Sequence, residues 1–158
     1  MTPHPPTTIR EIRSSDLSAF LVARPATASM GPYLLRQQSN GIGTGLVAYQ
    51  GTELVGSLEL CWTTPPEVRN VHVVDSRRNQ GFGTWLLTAA EEAAVEAHSR
   101  TLKLSVGVEN PDARRFYERL GYRITGERTQ TTYSYLDAAG TQQSATEVDE
   151  LMVKQLNG

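Results

Sequence analysis

Val71-His72-Val73-Val74-Asp75-Ser76-Arg77-Arg78-Asn79-Gln80-Gly81-Phe82-Gly83-Thr84-Trp85-Leu86-Leu87 reads as a buried strand, a short basic turn and the first turns of a long helix. A strand that feeds a helix start through glycines makes an anion site. The first helical N–H groups lack intrahelical partners, and the helix dipole adds about half a positive charge there. Gly81 and Gly83 remove side chains that would hold a phosphate away from those N–H groups. Arg77 and Arg78 add fixed charge and fork-shaped donors. The stretch therefore predicts a phosphate-bearing ligand.

Downstream, the helix is expected from Gly81 to about His98, with an apolar stripe of Leu86, Leu87, Ala90, Ala94 and Ala97. Leu102, Leu104, Val106 and Val108 alternate with small or polar residues as a strand does. Asn110-Pro111 opens another helix, with Asn110 as cap and Pro111 at its first position. Ala113, Phe116, Tyr117 and Leu120 form its stripe, and Gly121 closes it. Tyr122–Leu136 and Thr146–Leu156 read as two long strands joined by a polar loop, Asp137–Ser144.

Upstream, Leu46–Tyr49 and Glu53–Trp62 form a hairpin about Gln50-Gly51-Thr52. Pro65-Pro66 breaks the chain before the strand Glu67–Val74, in which Val74 interrupts the alternation and predicts a bulge. Thr7–Arg13 is a short strand. Ser14, Ser15 and Asp16 are N-cap candidates for a helix through Leu17, Phe20 and Leu21, ended by Pro25, and a second helix is expected between about Ser29 and Gln38. The G-x-G-x-G run at Gly41, Gly43 and Gly45 lacks the following helix a nucleotide would need. Residues 1–6 are proline-rich and expected to be flexible; 7–158 are expected to form a single α/β domain.

The length, 158 residues, suits one core, and the net charge of −2 carries no basic block of the kind nucleic acid requires. No apolar run is long enough to span a bilayer, and the N-terminal residues lack a signal-peptide pattern. One cysteine, Cys61, precludes an internal disulfide. A cytoplasmic protein without nucleic-acid or membrane partners is the expectation, and no metal-ligand pattern is read.

The turn is no P-loop, because no G-x-x-x-x-G-K-[ST] run exists, and Leu86 stands where a dinucleotide fingerprint needs a small residue. The spacing that fits is R-x-x-G-x-G, at Arg78, Gly81 and Gly83, followed by Asn110-Pro111-x-Ala113-x-x-Phe116-Tyr117-x-x-Leu120-Gly121-Tyr122. These two motifs, in this order and at this separation, resemble those of the GNAT superfamily of acyl-CoA-dependent N-acyltransferases. The resemblance is good over about residues 46–136. It departs at Asn79, where glycine is frequent, at Gln80, where a base is frequent, and at Tyr122, which replaces phenylalanine.

The resemblance implies a GNAT-like mixed sheet of about six to seven strands flanked by about four helices, with acetyl-CoA as co-substrate. Backbone amides of Asn79, Gln80, Gly81, Phe82, Gly83 and Thr84, helped by Arg78 and Arg77, would hold its pyrophosphate. The backbone of Val71 and Val73 would pair with the pantetheine arm as an added strand does, and Asn110 would bond the arm or simply cap its helix.

Acyl transfer to an amine requires loss of the amine's proton, polarisation of the thioester carbonyl and help for the departing thiolate. The bulge near Val73–Val74 would aim an amide at the carbonyl oxygen. Tyr117 is the candidate acid. With ordinary pKa values of about 10 for tyrosine and about 8.5 for a thiol, full proton transfer is uphill by roughly 2 kcal/mol. Either the site alters those values or Tyr117 chiefly hydrogen-bonds the thiolate. Glu67 is the candidate base, with Glu59, His72 or water as alternatives; Cys61 reads as a core residue rather than a nucleophile. The acceptor, a primary amine of a small molecule or peptide, would be held by residues 15–40 and the loop 137–145. The C-terminal strands offer an edge for a homodimer. A non-catalytic acyl-CoA-binding module would carry the same cofactor motifs, and turnover separates the two readings.

Overall fold

The computed structural model describes residues 6–157. The segment expected to be flexible, residues 1–6, lies outside the described residues apart from Pro6. Among the described residues the fold is a mixed sheet of seven strands with four α-helices. The chain divides into two compact units, 1–102 with 155–158, and 103–154.

In the first unit, β1 (Thr7–Glu11), β2 (Gly43–Gln50), β3 (Glu53–Cys61) and β4 (Glu67–Val73) run antiparallel in that order. β3 is buried from Leu54 to Cys61, as its run of apolar and small residues dictates for a strand covered on both faces. On one side lie α1 (Leu17–Ala23) and α2 (Met30–Ser39); Ile12, Phe20, Leu34, Val47 and Leu54 form a closed core there. On the other lies α3 (Phe82–Glu96), which buries Phe82, Leu86, Leu87, Ala90 and Ala94. Ala97, read as part of that stripe, is exposed because the helix ends at Glu96. Gly56 lets α3 approach: a Cβ there would sit 2.8 Å from the His72 carbonyl oxygen and 3.0 Å from Leu86.

At the chain's start Ser14–Asp16 forms a 3-10 turn, and Asp16 takes the N-cap position of α1, with its buried carboxylate making no cap bond to that helix. Its carboxylate accepts from Arg10 at 2.7 and 2.8 Å, from the Tyr49 hydroxyl at 2.6 Å and from the Arg13 amide at 2.7 Å. The helix runs through Leu17, Phe20 and Leu21 as expected; Phe20 is its one buried residue and Leu21 is exposed.

The second unit holds most of β5 (Thr101–Gly107), then α4 (Pro111–Arg119) and the long hairpin β6 (Arg123–Leu136) and β7 (Gln142–Gln155). β7 starts at Gln142, earlier than the sequence suggests. The connection is therefore only 137–141, closed by Asp137, whose carboxylate accepts from the Ala139 and Thr141 amides. Polar Thr, Ser and Gln hide this part of the strand from hydrophobic patterning. Strand order within this part is β5-β7-β6, which leaves β6 at the edge.

Candidate active site

The turn after β4 has the shape its sequence requires. A 3-10 turn over Asp75–Arg77 leads to Asn79 at φ 63° and Gly81 at φ 93°, both left-handed. Asparagine tolerates that region better than most residues, which explains how Asn79 can stand where glycine is frequent. Gly81 is the N-cap of α3 and no side chain caps the helix, so the amides of Phe82, Gly83 and Thr84 have no helical acceptor. A Cβ on Gly81 would meet nothing nearer than Trp85 at 3.9 Å, so the approach to these amides is open. An anionic group such as a pyrophosphate fits this start. Arg78 is exposed beside it, bonded to Asp75 at 2.9 Å and to the Val73 carbonyl at 3.3 Å. Arg77 pairs with Glu53 and is already committed. Gln80 turns back to the Ser76 carbonyl.

The expected bulge at Val74 lies elsewhere. The Val74 amide continues the ladder by donating to Val55. The register with β3 instead shifts between Ser57, opposite His72, and Glu59, opposite Arg69, so three residues of β4 span two of β3. The surplus sits at Asn70–Val71, with Asn70 left-handed at φ 56°. Paired residues share a face, so Glu67, Arg69 and, beyond the bulge, His72 all lie on the face of β3 that carries Ser57, Glu59 and Cys61. Val73 takes the α3 side with Gly56. The physical reason for the correction is visible in the spacing. Val68 and Val71 are three apart, and the broken alternation at that point marks the bulge.

On this face the candidate bases differ. Glu67 is 12% exposed and paired with Arg69. Glu59 is fully buried and accepts from the Tyr33 hydroxyl at 3.0 and 3.2 Å, from Asn70 at 3.1 Å and from Gln37 at 3.4 Å. No ion pair reaches it among the described residues. Tyr33 and Asn70, with Ser29, Met30 and Arg36, line a cleft of about 450 Å³. Burial, and then Glu59, raise the Tyr33 pKa, so its hydroxyl keeps its proton. Burial lowers the His72 pKa, and the charges of Arg24 and Arg78 lower it further, which favours the neutral ring. Burial drives the Cys61 thiol up to about 11, assisted by the Glu59 charge. It is a protonated core residue, unsuited to nucleophilic attack.

In the second unit Asn110 caps α4, accepting from the Ala113 amide at 3.2 Å, and Pro111 follows at the first position. Tyr117 is partly buried, with ring centres of Phe116 at 5.2 Å and Tyr122 at 6.1 Å. Burial raises its pKa. The phenol therefore stays protonated through neutral pH and has a proton to donate in a hydrogen bond.

Tyr33, Arg36 and Asn70 carry no motif that singles them out in the sequence. The available signal was Glu59 itself. A lone carboxylate inside the apolar run of β3 requires buried hydrogen-bond donors, and α2 is the neighbouring element that supplies them.

Residues 8–122 match the Acetyltransferase (GNAT) family. The aminoalkylphosphonate N-acetyltransferase of Salmonella typhimurium is 39% identical over 57 residues, 36% of this chain and 37% of that protein. An uncharacterized N-acetyltransferase of Methanocaldococcus jannaschii is 41% identical over 56 residues, 35% of this chain and 25% of that protein. The matched stretches thus span well under half of either curated relative. The PaiA N-acetyltransferase of Thermoplasma acidophilum, solved in complex with coenzyme A, superposes with a TM-score of 0.71 at 19% identity, covering 95% of this chain and 99% of that one. A strand, an uncapped helix start entered through left-handed Asn79 and Gly81, and a family match over most of the length converge, and the chain belongs to the GNAT acetyltransferase family.

Proposed function

We propose that the chain transfers the acetyl group of acetyl-CoA to a primary amine of a small molecule or peptide, by direct attack in a ternary complex. The observation that carries this reading is the open helix start at Gly81, whose amides suit a pyrophosphate. Acetyl-CoA supplies the acetyl group as a thioester. The amides of residues 79–84 and the Arg78 guanidinium bind its phosphates, and the backbone of Val71 and Val73 holds its arm. The disturbed ladder at Asn70–Val71 supports an amide directed at the carbonyl oxygen. Asn110, with its carbonyl spent on the cap, offers its amide nitrogen to the same arm.

Glu67 takes the proton that the amine loses as the N–C bond forms and the C–S bond breaks. Tyr117 donates a hydrogen bond to the departing thiolate. Its raised pKa supports this role over complete proton transfer. The proposed setting is the cytoplasm. No described helix is long and apolar enough to cross a membrane.

Calorimetry with acetyl-CoA and thiol release with an amine panel test the reading together. Tyr117→Phe is expected to lower kcat about 10- to 100-fold while leaving the acetyl-CoA Kd unchanged. An unchanged kcat removes the role of Tyr117. Absence of acetyl-CoA binding defeats the assignment, and binding without turnover of any amine makes the chain a binding module.

A further inference from the structure

We propose that the cleft beside the β4 bulge receives a small zwitterionic amine, its ammonium against Tyr33 and Asn70 and its oxyacid group, carboxylate or phosphonate, against Arg36. This rests on the acetyl-transfer reading and names the acceptor class for it.

Charge and hydrogen-bond direction carry the inference. Glu59 is a fully buried carboxylate, and no cation pairs with it among the described residues. An uncompensated buried charge is costly, and neutral donors alone offset it incompletely. Arg69, whose charge is felt here, spends its guanidinium on Glu67. A cation is therefore favoured near Glu59, and the cleft is lined by Tyr33 and Asn70, two of the residues bonded to it.

The cleft wall then fixes what kind of cation fits. Tyr33 donates its only hydroxyl proton to Glu59, and Asn70 directs its amide N–H there. Tyr33 has only its acceptor oxygen left for a ligand, and Asn70 keeps its carbonyl oxygen and one further N–H. Two acceptor oxygens backed by a negative charge suit an ammonium, which carries three N–H donors. Arg36 follows Tyr33 by one helical turn on α2, lines the same cleft, and has no acidic partner among the described residues. A guanidinium matches a carboxylate or phosphonate with paired donors. The volume, about 450 Å³, is that of a small-molecule site rather than a protein groove.

The test uses the full chain saturated with CoA. Binding of 3-aminopropylphosphonate, 4-aminobutanoate and butylamine is measured by calorimetry, and acetylation is followed by thiol release from acetyl-CoA. Both anionic amines are expected to bind at least ~10-fold more tightly than butylamine, as a charge-assisted contact implies. The ratio of the two anionic amines assigns the oxyacid. Arg36→Gln is expected to erase the preference by lowering the ratio of kcat/KM for the oxyacid amines to that for butylamine about tenfold. Glu59→Gln is expected to weaken all three amines together. Tyr33→Phe gives the same loss through the ligand-facing oxygen should Glu59→Gln fail to fold. Equal binding of butylamine, or an undiminished preference in Arg36→Gln, overturns the inference while leaving acetyl transfer standing. Failure of acetyl-CoA itself to bind removes both.

Discussion

Replacing Asp16 with asparagine tests whether one buried ion pair holds β1, α1 and β2 together. Burial alone pushes the Asp16 carboxyl up, but bonds from Arg10, Tyr49 and the Arg13 amide outweigh it and bring the pKa from 3.8 down to about 2. A depressed carboxylate pKa contributes stability above the unfolded value, and that stability is lost as pH falls through the folded value. The window is therefore between pH 4 and pH 2. At roughly 1.4 kcal/mol per pKa unit, the contribution is ~2.5 kcal/mol, a sizeable share of an ordinary domain's stability. Both tryptophans, Trp62 and Trp85, belong to the first unit, so their fluorescence follows its unfolding in urea. At pH 7, Asp16→Asn should cost at least about 2.5 kcal/mol, because Arg10 also loses its counter-charge. The difference between wild type and variant should shrink by about 1.8 kcal/mol on acidification from pH 4 to pH 2, because half the folded carboxylates are still ionised at the lower end. Other carboxylates titrate in both proteins and cancel. A difference that stays constant across the window refutes the reasoning.

Gly81→Ala forces a Cβ onto a residue at φ 93° and should destabilise the protein by about 1–2 kcal/mol; calorimetry should show weaker acetyl-CoA binding as the helix entrance shifts. Gly56→Ala meets backbone oxygen at 2.8 Å and should cost about 1–3 kcal/mol in urea unfolding, with α3 displaced. Cys61, buried and shifted to about 11, should resist iodoacetamide at pH 8 in the native protein and react in urea, with mass spectrometry counting the adduct.

The strand, turn and helix from Glu67 to Glu96 were legible because each step leaves a local mark: alternating valines, two glycines, a stripe of leucine and alanine. The α4 start was equally plain, since Asn110-Pro111 encodes its own cap. What escaped depended on partners distant in sequence. Asp16 has the composition of a cap, and only Arg10 and Tyr49 together make its burial tolerable. Glu59 could be suspected from sequence, but Tyr33 lies 26 residues away and its direction depends on how α2 packs. The extra length of β7 was hidden because threonine and glutamine serve loops and exposed strands alike.

The displaced register of β4 has a consequence of its own. The segment behaves like a reading frame with one inserted letter: from Glu67 to Arg69 odd positions face α2, and at His72 an even one does. Deleting Asn70 would close the bulge with His72 still opposite Ser57 and Val73 still opposite Gly56, so both flanks of β4 would keep their faces. The loss would fall on what the surplus residue itself supplies: the side-chain amide that reaches Glu59 and the disturbed ladder at Asn70–Val71. Exchange for glycine keeps the left-handed backbone at little conformational cost and removes the side chain alone, so the two changes separate the contribution of the inserted letter from that of its meaning.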